Sequence, residues 1–193
     1  MRILIAGIGN IFHGDDAFGV EVANRLSHRV LPPEARLVDF GIRGFDLAYA
    51  LLEGYDVTIL VDATPRGEPP GSLYTIEIDP TAPSGLDEPR GPVANDVATH
   101  GMNPMRVLQM AQAMGGFIGR ILLVGCEPET LGSDEEGQMG LSAAVAAAVE
   151  PAADMVEALV GRLLEESRGT QKTERRGVTT SESKRRQQWQ RPQ

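Results

Sequence analysis

Residues 1–26 read MRILIAGIGNIFHGDDAFGVEVANRL, and the order of chemistry along them decides the fold class. Arg2–Ala6 is a short apolar run of the kind that forms a buried strand, and it ends in Gly7-Ile8-Gly9-Asn10. Apolar residues then recur at Phe18, Val22, Leu26 and Val30, a spacing of about four that predicts a helix over Ala17–Val30. Asp15 or Asp16 stands where an N-cap belongs. The chain thus opens as strand, glycine-rich loop and helix.

Working outward, Ala35–Phe40 reads as a second strand, and Phe45–Glu53 as a helix stopped by Gly54. Asp56–Val61 is apolar and β-branched, the pattern of a central strand buried on both faces. Ser72–Ile78 alternates, as an edge or antiparallel strand does. Residues 79–99 are rich in Pro, Gly, Asp and Asn without periodicity, which predicts a long and therefore functional loop. Met102–Met114 has helical spacing, and Ile118–Gly125 is another apolar strand. Leu141–Leu164 is one long Ala-rich helix, with a kink or break expected at Pro151. Alternating strands and helices predict an α/β fold, a three-layer sandwich with the sheet between helices. Residues 1–167 form that domain. Residues 168–193 are polar and basic, too poor in aliphatic side chains to bury a core, and are expected to be a disordered tail.

The formal net charge is −9, and because the tail is basic the body is more acidic still. Such a body is a poor nucleic-acid binder, since phosphate contacts need Lys and Arg. It suits a cationic partner surface or a metal ion. The one cysteine, Cys126, excludes an internal disulfide and a CxxC zinc site, and fits a reducing compartment. MRILIAGIGN does not read as a signal peptide. No run approaches about 18 unbroken apolar residues, so a membrane span is not expected. A cytoplasmic protein follows.

In a parallel α/β sheet, ligands bind beyond the strand C-termini. Asp16 follows the first strand, Asp62 comes at the end of the apolar strand DVTILV, and His100 follows the long loop at a helix start. Over one sheet edge, two carboxylates and an imidazole are a ligand set for a divalent transition metal, or acid–base groups. Each also has a structural role open to it: Asp15 or Asp16 as N-cap, Asp62 as a turn cap, His100 as a surface histidine. His13 competes with His100, and His28, on a helix flank, competes less well. Cys126 is most simply a buried small residue. Gly7-x-Gly9 begins the dinucleotide fingerprint, but Phe12 occupies its third glycine position. The chain has no P-loop, no H-E-x-x-H and no G-x-S-x-G.

Four segments together resemble the hydrogenase maturation proteases. They are GIGNIFHGDDAFGVEVANRL, LVDFGIRGFDLAYAL, ILVDAT and GCEPETLGSDEEGQMGLSAAVAAAV, in that order over residues 1–160. The resemblance implies a twisted, mostly parallel five-stranded sheet with helices on both faces. It implies an endopeptidase that removes the C-terminal extension of a nickel–iron hydrogenase large-subunit precursor after nickel insertion. The family's metal-binding acid, aspartate and histidine fall by motif on Asp16, Asp62 and His100, which would also be the catalytic residues. Asp39 matches a position tied to substrate recognition, with Gly41 and Gly44 shaping its loop.

On this reading the nickel belongs to the precursor and the chain holds no tight cofactor of its own. The precursor is the expected partner of a monomeric protein, with neither nucleic acid nor membrane involved. Two other functions share these features. One is a peptidyl-tRNA hydrolase-like enzyme, which also opens with G-x-G-N but needs a basic RNA face. The other is a non-catalytic chaperone of the metal-loaded precursor.

Overall fold

The computed structural model describes residues 1–79, 104–116, 118–132 and 137–188, with side chains to residue 169. The elements run β1 (Ile3–Ile8), α1 (Phe18–Ser27), β2 (Ala35–Gly41), α2 (Gly44–Leu51), β3 (Val57–Ala63), β4 (Leu73–Ile78), α3 (Pro104–Ala113), β5 (Arg120–Cys126) and α4 (Ala143–Gln188). A 3-10 turn, Gly14–Ala17, leads into α1.

The five strands form one sheet in the order β2-β1-β3-β5-β4. β2, β1, β3 and β5 are parallel, and β4 pairs antiparallel with β5 at the edge. The alternation of Ser72–Ile78 is thus that of an edge strand, whereas β1 and β3 are buried along their whole length.

Strand alternation assigns the helices to faces. Leu4, Ala6, Ile8, Leu60, Ile121 and Leu123 share a buried cluster with Leu47 and Leu51 of α2 and Leu108 and Ala111 of α3. Gly7 points the other way, where a Cβ would collide with Gly19 and Ala23 of α1. Tyr74 and Ile76 of β4 face the first cluster, so Thr75 faces away, and its hydroxyl meets Met155 of α4. The first part of α4 therefore lies on the α1 face. Arg29, just past α1, pairs there with Glu150, Asp154 and Glu157. The sheet has helices on both faces, as expected.

Several local expectations are corrected. Neither aspartate caps α1: its N-cap is Ala17, with no side-chain cap bond. β3 continues to Ala63, so Asp62 is inside the strand rather than beyond it. Pro151 does not break α4. It forfeits one backbone hydrogen bond, while buried Val145, Ala148, Ala152, Ala153 and Val156 keep the helix packed around it.

The chain divides into two compact units, Met1–Glu157 and Ala158–Gln193, with the boundary inside α4. Within the second unit α4 continues to Gln188. Its Arg, Lys, Gln and Glu residues have good intrinsic helix propensity without offering a core.

Candidate active site

Chain direction creates the site before any side chain is placed. From β1 the chain crosses to β2 on one side, and β3 leads towards β5 and β4 on the other. The crevice between the C-terminal ends of β1 and β3 is the topological switch point, where ligands bind in such sheets. The loop after β1 delivers Asp15 and Asp16 to it, and β3 delivers Asp62.

Three glycines allow the close approach. A Cβ at Gly9 would collide with the Asp16 carbonyl oxygen, and Gly9 holds φ +138°. A Cβ at Gly19 would collide with the carbonyl oxygens of Val61 and Ile8. With Gly7 against Gly19, the start of α1 sits directly on β1 and β3. This is why G-x-G appears without completing the dinucleotide fingerprint: the glycines admit a helix.

The adjacent aspartates have different work. Asp15 is fully buried. Its carboxylate accepts backbone N–H groups from Glu129 at 2.8 Å, Thr130 at 3.1 Å and Ser142 at 2.6 Å. It ties the loop after β1 to the segment after β5 and to the start of α4. Asp16 is only half-buried, and its Oδ2 accepts the Asn10 N–H at 2.7 Å. Burial raises its pKa above the usual aspartate value, opposed by that hydrogen bond and by the charge of His13.

Asp62, 7% exposed, lies opposite Gly125 of β5. Burial first, then the charge of Asp16, push its pKa well up. Two such carboxylates have three stable arrangements: they share a proton, one stays neutral, or a cation binds them both. The same pair is equipped for acid–base work or for ligation.

Sequence reading missed Glu127. Its buried carboxylate accepts the N–H groups of Arg66 at 2.7 Å and Gly67 at 3.1 Å, fixing the loop that follows Asp62. Those bonds hold its pKa below the usual value despite burial. The signal was present: an acid ending an apolar strand, as at Asp62. Tyr74 completes this wall, donating to the Thr64 carbonyl at 2.7 Å, with Arg66 4.8 Å above its ring. Cys126 is buried, and its thiol is pushed up to about 12, which leaves it without thiolate character at neutral pH.

Asp39 is exposed on β2, in register with Gly7. Gly41 needs its positive φ of +52°, and its carbonyl accepts the Gly9 N–H at 3.1 Å, joining the loops after β1 and β2. Gly44 is the first residue of α2. His100 lies outside the described residues. Among those described, no group of three His, Cys, Asp or Glu is placed to hold a metal, and no helix is long and apolar enough to cross a membrane.

Comparison with known proteins adds a consistent set of relatives. A family described as hydrogenase maturation protease matches residues 20–159. The hydrogenase expression/formation protein HupD of Rhodobacter capsulatus is 34% identical over 131 residues, 67% of this chain. The match spans 59% of the HupD relative's own length, less than two thirds. The hydrogenase 2 maturation protease of Escherichia coli K12 is 31% identical over 158 residues, covering 81% of this chain and 88% of that protein. Among solved structures, the hydrogenase maturating endopeptidase HybD of E. coli superposes with a TM-score of 0.63 at 29% identity, covering 84% of this chain and 93% of that one. These relatives do not favour the peptidyl-tRNA hydrolase-like alternative.

Proposed function

The chain belongs to the hydrogenase maturation protease family, and from that premise we propose that it is the endopeptidase that removes the C-terminal extension of a nickel-loaded nickel–iron hydrogenase large-subunit precursor. The observation that carries the reading is the Asp16–Asp62 pair. Two carboxylates held together at the switch point, one buried and disfavoured as an anion by the other's charge, form a site that a cation relieves.

Asp16, Asp62 and His100 are the residues proposed to meet the nickel, which arrives as part of the substrate. Asp62 is presented by a rigid central strand, and Asp16 by a loop that the Asn10 N–H and buried Asp15 hold in place. Ligation by these groups sets the scissile bond over the crevice. A carboxylate oxygen left free of ligation takes the proton of the attacking water as its oxygen bonds to the carbonyl carbon. The proton then passes to the departing amine as the C–N bond breaks. Glu127 and Tyr74 keep the far wall from moving, and Asp39, with Gly41 and Gly44 behind it, lies where the precursor approaches. The protein works as a monomer in the cytoplasm.

The test mixes purified protein with nickel-loaded and nickel-free precursor and follows intact mass. Shortening of the loaded form alone is expected, and equal shortening of both overturns the metal-reading role. A precursor that is bound but never loses mass leaves the non-catalytic chaperone instead.

A further inference from the structure

α2 is apolar on both sides. Leu47, Ala48, Ala50 and Leu51 are buried, while Phe45 and Tyr49, one turn apart, are 71% and 62% exposed. By contrast α1 turns Glu21, Asn24, Arg25 and Ser27 outward. Exposed aromatic side chains grouped on one helix face, beside the exposed Asp46, mark a binding surface. Ile42, just before α2, continues the exposure at 56%.

A further exposed aromatic side chain stands on the loop after β1. Phe12, 55% exposed, sits at the tip of the loop after β1. That tip is held from three sides: Phe12 N–H donates to Asn10 Oδ1 at 3.0 Å, His13 N–H to the Asn10 carbonyl at 3.1 Å, and Gln138 N–H to the Phe12 carbonyl at 2.9 Å. The Gly9–Gly41 hydrogen bond joins this loop to the one that starts α2. The aromatic groups are therefore presented on fixed backbone, so little ordering is left for binding to do.

Resting on the function proposed above, we infer that Phe12, Ile42, Phe45 and Tyr49 form the docking surface for the precursor polypeptide. The segment they take carries apolar side chains beside a cationic one. Two features select that occupant. The surface borders Asp16, so a chain with its scissile bond at the Asp16–Asp62 pair runs across it. Its flanks carry Asp16 and Asp39, while Asp46 is paired with Arg43 at 3.9 Å. A second copy would set these same carboxylates against each other, and the whole chain carries −9.

The experiment compares the protein with Phe45→Ser/Tyr49→Ser and Phe12→Ser variants on nickel-loaded precursor, with Val30→Ser, 97% exposed on the loop before β2, as control. Aromatic anchors at an interface centre predict a KM raised at least about tenfold, kcat within about twofold, and no change for Val30→Ser. Phe45→Leu should restore most of the loss. Unchanged KM in the double variant overturns the docking surface while leaving the protease reading intact. So does a dimer in sedimentation that the serines dissolve. If the wild-type protein leaves the precursor uncut, that reading fails. Docking is then decided by affinity for the same precursor: equal binding of wild type and double variant overturns it, and binding weakened at least about tenfold supports it.

Discussion

Burial first, and then the charge of Asp16, hold the carboxyl of Asp62 towards its neutral form. The two residues come from separate elements, and their proximity results from Gly9 and Gly19 letting the start of α1 press onto β1 and β3. Paired carboxylates of this kind lower the stability of the resting protein. That tension can be measured.

Asp62→Asn and Asp16→Asn should each cut precursor processing by roughly two to four orders of magnitude, the scale of a lost acid–base group. Neither should unfold the protein. Intact mass against time measures the first effect and thermal melting the second. Processing within threefold of wild type in either variant would remove that residue from the site.

Asp62 also predicts a pH dependence. Its folded pKa lies above the usual 3.8, so over the interval between the two values the folded state binds more protons than the unfolded one. Stability from this group is then full at low pH and falls as pH rises through the interval. Asp62→Asn removes that slope, so in the metal-free protein its melting advantage over wild type should widen as pH rises above about 4. For a chain of this size about 1 kcal/mol corresponds to roughly 2–4 °C. A constant gap as pH rises would contradict the burial of a reluctant charge.

Asp15→Ala should behave unlike Asp16→Ala. It leaves three backbone N–H groups, from Glu129, Thr130 and Ser142, without their acceptor, at a cost of about 3–5 kcal/mol in urea unfolding. Asp16 accepts one N–H from a half-buried position, so Asp16→Ala should cost about 1 kcal/mol or less. The reverse order would exchange the roles given to the two aspartates.

Gly19→Ala places a methyl group against the carbonyl oxygens of Val61 and Ile8. Lifting α1 from the sheet should cost about 3 kcal/mol or more and reduce processing, because Asp16 leads into that helix. Gly161→Ala is the contrast: nothing lies within 4 Å of its Cβ position in α4, and relief of helical glycine should stabilise by about 0.5–1 kcal/mol. Paired denaturant titrations read both, and equal effects would place the close contact elsewhere.

The strand and helix order was legible because it depends on local spacing. Asp56–Val61 read as a strand buried on both faces, which the structure places at Val57–Ala63, and Phe18, Val22 and Leu26 as one side of a helix. Asp62 was legible as an acid ending such a strand. Glu127 has the same pattern at the end of β5, yet its role depends on a loop some sixty residues earlier in the chain, which no local pattern reports.

By itself, the sequence determined the α/β class, the mostly parallel sheet, the family to which the chain belongs and Asp16 and Asp62 as candidates, since strand and helix patterns and motifs are written in contiguous residues. Only the tertiary structure gave Asp15 its work. The acceptor role of Asp15 is defined by N–H groups at 129, 130 and 142, more than a hundred positions away. No local pattern reports such a role, because the acceptor answers to buried N–H groups that the fold alone brings to it, and a buried N–H without an acceptor costs more than a capping bond returns.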